Sequence, residues 1–490
     1  MCNINKFEVD KDSDSLEIFE DIKNNIDKFT DKTEISLLCN EYTNLINGSN
    51  YSIKQKVKKI IYSSFDFSKG KFNNKSNNLF ITSFSFVKVF CYILIIFFFG
   101  IKNKITKKYD LIIDDIENYQ ELNRYKKIIS KFKSVLIICN NNDVLNYKKI
   151  EIPCSRINIK KLYPDNSIVK NSLLKFISFF FKLFLCSVKE KYNLIKVFES
   201  IFLSSIKNST LFNKYRSDYL LQDRFFKLCP VKNYYFKKNG GKINACTQIH
   251  LPEASIMLYA DTDILFTFGD EKFSKKKFSS LGGNIKQTFP VGSSKMESLY
   301  YQNNKKINHI ESFDLLIIGI NPNNWRNVSN KVYEGFKEYL NWLKRLSSKY
   351  PNLKIINKHH ENFKGDKLEK TFLQNTNIKE IIKSPDNHNS YDYLEKCKVA
   401  VSFGSTMIVE GISLDKKCFY ADPKSSLSCF YGNLPNLNQI LLKDYKTFEE
   451  KILNSMDNSP NIRNSIKEKD QICLKSNEVS DRIYNLLKSA

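Results

Sequence analysis

The sequence predicts an α/β protein of two parallel sheets, each covered by helices, with a helical extension in front of the first. Three observations carry this. YDLIID at 109–114, a helical stretch at 119–131 and SVLIIC at 134–139 alternate in the manner of a parallel sheet with crossover helices. The alternation returns in FDLLIIG at 313–319, an amphipathic 332–350 and a strand at 353–358. At 390–423 a helix opened by Asn389 and Ser390 leads into Val399-Ala400-Val401-Ser402-Phe403. A Gly404-Ser405-Thr406 turn, a second helix and a strand at 417–420 then follow.

With 490 residues there is room for two domains with real cores and an extension. Lys and Arg number 77 against 52 Asp and Glu, a formal charge of +25, which favours anionic partners: nucleic acid, an anionic membrane face or phosphorylated substrates. Basic residues are spread along the chain, not clustered with aromatics, so nucleic acid is not expected as a partner. Twelve cysteines without a C-x-x-C pair or a Cys/His cluster read as reduced, partly buried thiols in a cytoplasmic setting. The acidic, mixed start lacks the basic opening and apolar core of an export signal.

Taken in order, 1–75 is a helical extension. Apolar residues recur at three- and four-residue intervals over 16–29 and 33–46, and 52–75 is strongly basic. The first α/β unit spans 76–295. Its run LFITSFSFVKVFCYILIIFFFGI at 79–101 is long enough to span a bilayer, which takes about 20 residues. Lys88 sits near its middle, however, and both flanks are basic. A helix lying in an anionic cytoplasmic interface explains both flanks; a buried core helix and a single span are the alternatives. The Lys-punctuated SLLKFISFFFKLFLCSV at 172–188 shares the first two readings.

Asp114 and Asp115 close the first strand, at the edge where parallel sheets place ligands. Either could serve as a general base or simply cap a turn. Asp261-Thr262-Asp263 matches a metal-binding D-x-D pattern but fits a turn before a buried strand at 264–268, and is read as structural. A polar stretch at 296–312 is the expected linker, 313–463 the second unit, and 464–490 a helix packing back on the first.

The strand–turn–helix at Gly404-Ser405-Thr406 suits a phosphate. Unpartnered first-turn amides and the helix dipole attract an anion, and Glu410, one turn on, could accept hydrogen bonds from sugar hydroxyls. The whole stretch resembles the donor-binding half of GT-B glycosyltransferases, especially bacterial surface-carbohydrate (capsule) proteins related to capsule Kdo transferases and CDP-glycerol glycerophosphotransferases. The resemblance rests on Ser402, Ser405, Thr406 and Glu410, with Asp415 where a Gly is usual. Elsewhere the match is partial: Gln248, His250, Asp263 through Gly269 and Val291-Gly292-Ser293 in the first unit, with Leu251-Pro252-Glu253 where a Gly would stand beside the His. The family's K-x-H-P becomes Lys358-His359-His360.

The resemblance implies a GT-B fold, two Rossmann-like domains facing a cleft, and a metal- and cofactor-independent transferase. Such an enzyme would move a sugar or polyol phosphate from a nucleotide-activated donor to a surface polysaccharide or its lipid-linked acceptor, at the inner face of the cytoplasmic membrane. Lys358, His359, Ser402, Gly404, Ser405, Thr406 and Glu410 would bind donor. His359 would assist departure of its phosphate, and His250, Glu253, Asp114 and Asp115 are the candidate bases. A nucleotide-sugar 2-epimerase of the same fold and a non-catalytic membrane- or nucleic-acid-binding scaffold are the alternatives.

Overall fold

The structure, a computed structural model, describes all residues except 1–3, 5–6, 74–78, 102–106, 147–153, 171, 249–258, 271–279, 281, 302–309, 321–327, 361–366, 383–388, 433 and 457–468. The β-branched runs read from the sequence become the strands of two sheets. In the first, seven parallel strands lie side by side in the order Ser155–Asn158, Val135–Cys139, Lys107–Ile116, Tyr215–Gln222, Ile243–Thr247, Asp261–Thr267 and Asn284–Pro290. Numbered along the chain, that order is 3-2-1-4-5-6-7.

The second sheet follows the same rule, 3-2-1-4-5-6. Its strands are Lys379–Ile381, Ile355–Lys358, Phe313–Ile318, Cys397–Ser402, Lys417–Ala421 and Leu441–Leu442, all parallel. In each sheet the direction of winding reverses between the first and fourth strands, so a crevice opens there beyond the carboxyl ends. The expected class, α/β with two Rossmann-like units, is the fold the chain adopts.

Helices cover the sheets because their apolar stripes have nowhere else to go. Asn330–Lys349 starts at Ser329, whose side chain accepts from the Val332 N–H, and buries Phe336, Leu340, Leu343 and Leu346. Leu194–Lys214, missed in the sequence, is buried along almost its whole length and carries the chain into the central strand Tyr215–Gln222, also missed. The extension forms helices Ser15–Thr30, Thr33–Ile46 and Asn50–Tyr62. The third packs on Leu194–Lys214 and on Pro230–Lys238.

Leu79–Phe99 and Leu173–Glu190 pack together on the first unit, with the Phe86 and Phe184 rings 6.0 Å apart. Each helix is divided. Val89, Ile93 and Ile96 are buried, as are Phe176, Phe179, Phe180 and Leu183, while Phe84, Val87, Ile95, Phe98, Leu174, Phe181, Leu185 and Val188 face outward. Lys88, in the middle of the apolar run, forms an ion pair with Glu199 of Leu194–Lys214 at 2.8 Å.

The carboxyl-end segments of the two sheets meet at a seam. Ser293, just past the last strand of the first sheet, donates its hydroxyl hydrogen to Glu410, in the helix that follows strand Cys397–Ser402. Segment 469–489 spans the same seam. Lys469 pairs with Asp415 of the second unit, while Ser480 donates to Glu297 and Asp481 pairs with Lys131 and, at 2.6 Å, with Lys127 of the first. Two Rossmann-like units joined at their carboxyl edges form the GT-B arrangement. The expected linker begins inside this seam: Met296, Glu297 and Ser298 are buried.

Candidate functional site

The two reversal points of the sheets lie on this joined edge. In the second unit the reversal lies between the ends of Phe313–Ile318 and Cys397–Ser402. Ser402 is fully buried and donates its hydroxyl hydrogen to the Ile318 carbonyl at 2.8 Å, tying the two strands together. Gly319 ends the first of them. A side chain there would press on the Lys358 carbonyl oxygen and the His359 Cα, each 3.0 Å from an added Cβ, so the strand ends pack closely here, a signal the sequence reading missed.

The donor loop differs from expectation in its amides. Helix Met407–Ser413 is only seven residues long, and its first turn is closed on itself. The Met407 N–H goes to Ser405 Oγ at 3.3 Å, that of Ile408 to the Ser405 carbonyl, and those of Val409 and Glu410 to the Thr406 carbonyl. The row of unspent N–H groups expected here is therefore not present. What the loop offers a ligand is the half-buried Ser405 and Thr406 beside buried Gly404, whose added Cβ would meet the Leu427 side chain at 2.7 Å.

Glu410 is not on an exposed helix face, contrary to the expectation. It is 2 % exposed, accepts from Ser293, and has the Tyr391 phenol close by but outside hydrogen-bond geometry. Burial pushes its carboxyl above the usual carboxylate range, against the opposing pull of Lys295, Ser293, Tyr391 and Arg124.

His359 and Ser405 do not flank one another. Strand Phe313–Ile318 lies between the strands that lead to them, although both were expected to bind donor. The His359 side chain turns inward, with Nδ1 3.5 Å from Glu369 and Nε2 3.8 Å from Glu380, and Lys358 Nζ donates to the His359 carbonyl at 2.9 Å. His360, one residue on, is the exposed histidine.

In the first unit the reversal lies between Lys107–Ile116 and Tyr215–Gln222. The register slips between Ile113 and Ile116, and Asp115 takes a left-handed φ of 67°, a conformation that Asp tolerates. Both acids meet one cation: Lys232 Nζ lies 2.5 Å from Asp114 and 3.3 Å from Asp115. Burial and the Asp114 charge raise Asp115, against the pull of Lys232. Next to them Asp223, fully buried, receives Arg124 and the Tyr125 hydroxyl, each at 2.6 Å, and the latter also meets Thr247 Oγ1 at 2.9 Å. The Arg124 charge reaches across the seam to Glu410. Lys232, Arg124 and Asp223 were absent from the sequence reading.

Asp261 and Asp263 belong to the strand Asp261–Thr267 and are spent there. Asp261 accepts from Asn233 and Asn284; Asp263 pairs with Lys237 and Lys286 and accepts the Asn244 N–H. His250 and Glu253 lie outside the described residues. A cavity of about 700 Å³ bounded by Phe313, Leu353 and Lys379 lies at the opposite edge of the second sheet, away from the Gly404–Thr406 turn.

No family model matches the chain, and no curated protein does. Among solved structures it is similar to the UDP-GlcNAc 2-epimerase from Neisseria meningitidis bound to UDP-GlcNAc, with 13% identity and a TM-score of 0.43 over 78% of this chain and 100% of that one. It is also similar to a variant of the wall teichoic acid polymerase TagF, with 10% identity and a TM-score of 0.43 over 84% and 97%. For an O-GlcNAc transferase from Thermobaculum terrenum the figures are 9%, 0.37, 97% and 82%. At these identities and TM-scores the likeness does not reach the chemistry of any of them.

Proposed function

We propose that the chain is a nucleotide-sugar-dependent transferase that moves a sugar, or a polyol phosphate, onto a surface glycan or its lipid-linked precursor. The observation that carries this reading is the pairing of two reversal points on one seam. One is lined by the small polar turn Gly404–Thr406, the other by Asp114, Asp115 and Lys232. In such a cleft the acceptor oxygen bonds to the transferred group as that group's bond to the donor phosphate breaks. The acceptor proton passes to a base of the first unit, and the nucleotide leaves with the electron pair. Holding both partners in one seam replaces a bimolecular encounter with an oriented one.

A membrane-bound acceptor is supported by the outward apolar stripes of Leu79–Phe99 and Leu173–Glu190, which lie on the same unit as the proposed base. Among the described residues Leu79–Phe99 is also the one helix long and apolar enough to cross a membrane. With Val89, Ile93 and Ile96 buried against the first unit and one apolar stripe turned outward, lying along an anionic surface fits it better than a crossing.

The test is thermal unfolding of the whole chain with CMP-, CDP-, UDP- and GDP-linked donors, followed by nucleotide release when a lipid-linked acceptor is added. One nucleotide class should raise the melting temperature, and release should require the acceptor. Protection by none of the four ends the reading, and conversion of the donor without an acceptor makes the chain an epimerase. Flotation with phosphatidylglycerol vesicles should retain the protein and fail at high salt.

A further inference from the structure

Against the first reversal point lies a cavity of about 450 Å³, closed on one side by the extension helix Asn50–Tyr62 and on another by Leu194–Lys214. Its walls carry five lysines, Lys56, Lys59, Lys207, Lys227 and Lys232, against two carboxylates, Asp114 and Asp115. Both carboxylates are already committed to Lys232. Lys227 pairs with Glu117, outside the cavity lining. Among the described residues Lys56, Lys59 and Lys207 have no carboxylate partner, and Lys59 Nζ donates only to the Leu228 carbonyl at 2.7 Å. Three ammonium groups thus converge on one concave space with their charge unspent.

The rest of the wall is neutral. Asn208 lines it at 3 % exposure, with its amide nitrogen donating to the Ser204 carbonyl at 2.7 Å. The hydroxyls of Ser63, Ser200 and Ser204 share the wall.

We infer that this cavity binds a phosphate-bearing polyhydroxy group, the phosphorylated end of the acceptor, with the lysines on the phosphate and the wall's serine hydroxyls toward the polyol. This rests on the transferase reading only for the word acceptor; the binding chemistry stands by itself. Lysine is a point charge suited to a phosphate that can rotate, and the volume holds a polyol or monosaccharide phosphate, not a polymer. Burial, with the charges of Lys56 and Lys232, lowers Lys59 to about 8, a penalty that a bound dianion relieves. Leu194–Lys214 also carries Glu199, the partner of Lys88, so one helix joins the cavity to the apolar helices.

The phosphate could come from a soluble polyol phosphate or a lipid headgroup, and calorimetry on the full chain separates them. sn-Glycerol 3-phosphate should bind saturably, inorganic phosphate more weakly, and glycerol not at all. Lys56→Gln and Lys207→Gln, at a half-buried and an exposed position, should keep the melting temperature. Each should weaken glycerol 3-phosphate by about tenfold, the loss of one charge-assisted hydrogen bond. Phosphatidylglycerol vesicles displaced by glycerol 3-phosphate assign the lipid source; vesicles indifferent to the probe and to both substitutions assign the soluble one. No saturable binding of glycerol 3-phosphate, or wild-type binding by the double variant, overturns the site. The double variant should still be protected by the nucleotide donor. Loss of that protection would make the cavity part of the donor site and overturn its assignment to the acceptor. Should no nucleotide protect either protein while glycerol 3-phosphate still binds, the transferase reading falls and the cavity stands.

Discussion

The two reversal points have the same topology and different electrostatics. At the second, polar groups close on their neighbours: Ser402 on the Ile318 carbonyl, Lys358 on the His359 carbonyl, Ser405 on the Met407 N–H. At the first, a buried triad of Asp114, Asp115 and Lys232 sits in a wall of further cations whose charge is not used. A crevice lined with surplus ammonium groups is held together against its own repulsion and gains most from an anion.

The largest expected effect compares one lysine from each. Lys232→Met strands two buried carboxylates and should cost about 3–5 kcal/mol of unfolding free energy. Lys358→Met loses a hydrogen bond to a carbonyl and should cost about 1 kcal/mol. Urea unfolding of the two variants measures both, and equal losses would erase the contrast. Next come the histidines. His360→Ala should lower turnover by roughly 10²–10³, the loss of one hydrogen-bond donor to a charge that develops in the transition state. His359→Ala should lower the melting temperature while turnover per folded molecule stays put. The reverse outcome would return the donor role to His359.

Glu410→Gln should change stability by less than about 1 kcal/mol, because burial already favours the uncharged carboxyl. The sign follows from its raised value in the fold: stability owed to Glu410 is present in acid and fades as pH climbs through that value. The Gln variant should therefore hold its melting temperature through the range where the wild type declines; parallel curves would place the titration elsewhere. The smallest effect concerns Cys229, on the wall of the lysine cavity. Burial alone would raise its thiol, but Lys56, Ser204 and Lys232 bring it to about 7. In a Cys91→Ser background, iodoacetamide should label it with a midpoint near pH 7, about a few-fold more slowly with glycerol 3-phosphate present.

Much of the fold was legible because burial has a period. The runs at 109–114, 134–139, 313–319 and 399–403 all became strands, and their alternation with helices gave two parallel sheets. The missing centre of the first sheet, Tyr215–Gln222, follows directly on a 21-residue helix with no Gly or Pro between, so no local signal marks the change. The site was less legible for a related reason. Lys232 reaches Asp115 across 117 positions, and nothing in the residues around Lys232 sets it apart from the chain's many other lysines. Glu410 was read from helix geometry alone, which cannot show that Ser293 of the other unit covers it. His359 and His360 were separable only by knowing which side of the chain the sheet's cover occupies.

Segment 469–489 has a mechanical consequence. At Gly269 and Gly292 it passes so close that an added Cβ would lie 2.3 Å from the Gln471 carbonyl oxygen and 2.9 Å from that of Leu474, and Ser476 accepts the Ser293 N–H. The chain therefore bridges the two units at two places, once through 294–312 and again through this strap. A side chain at Gly269 would push this strap off the first unit and loosen the seam from that side.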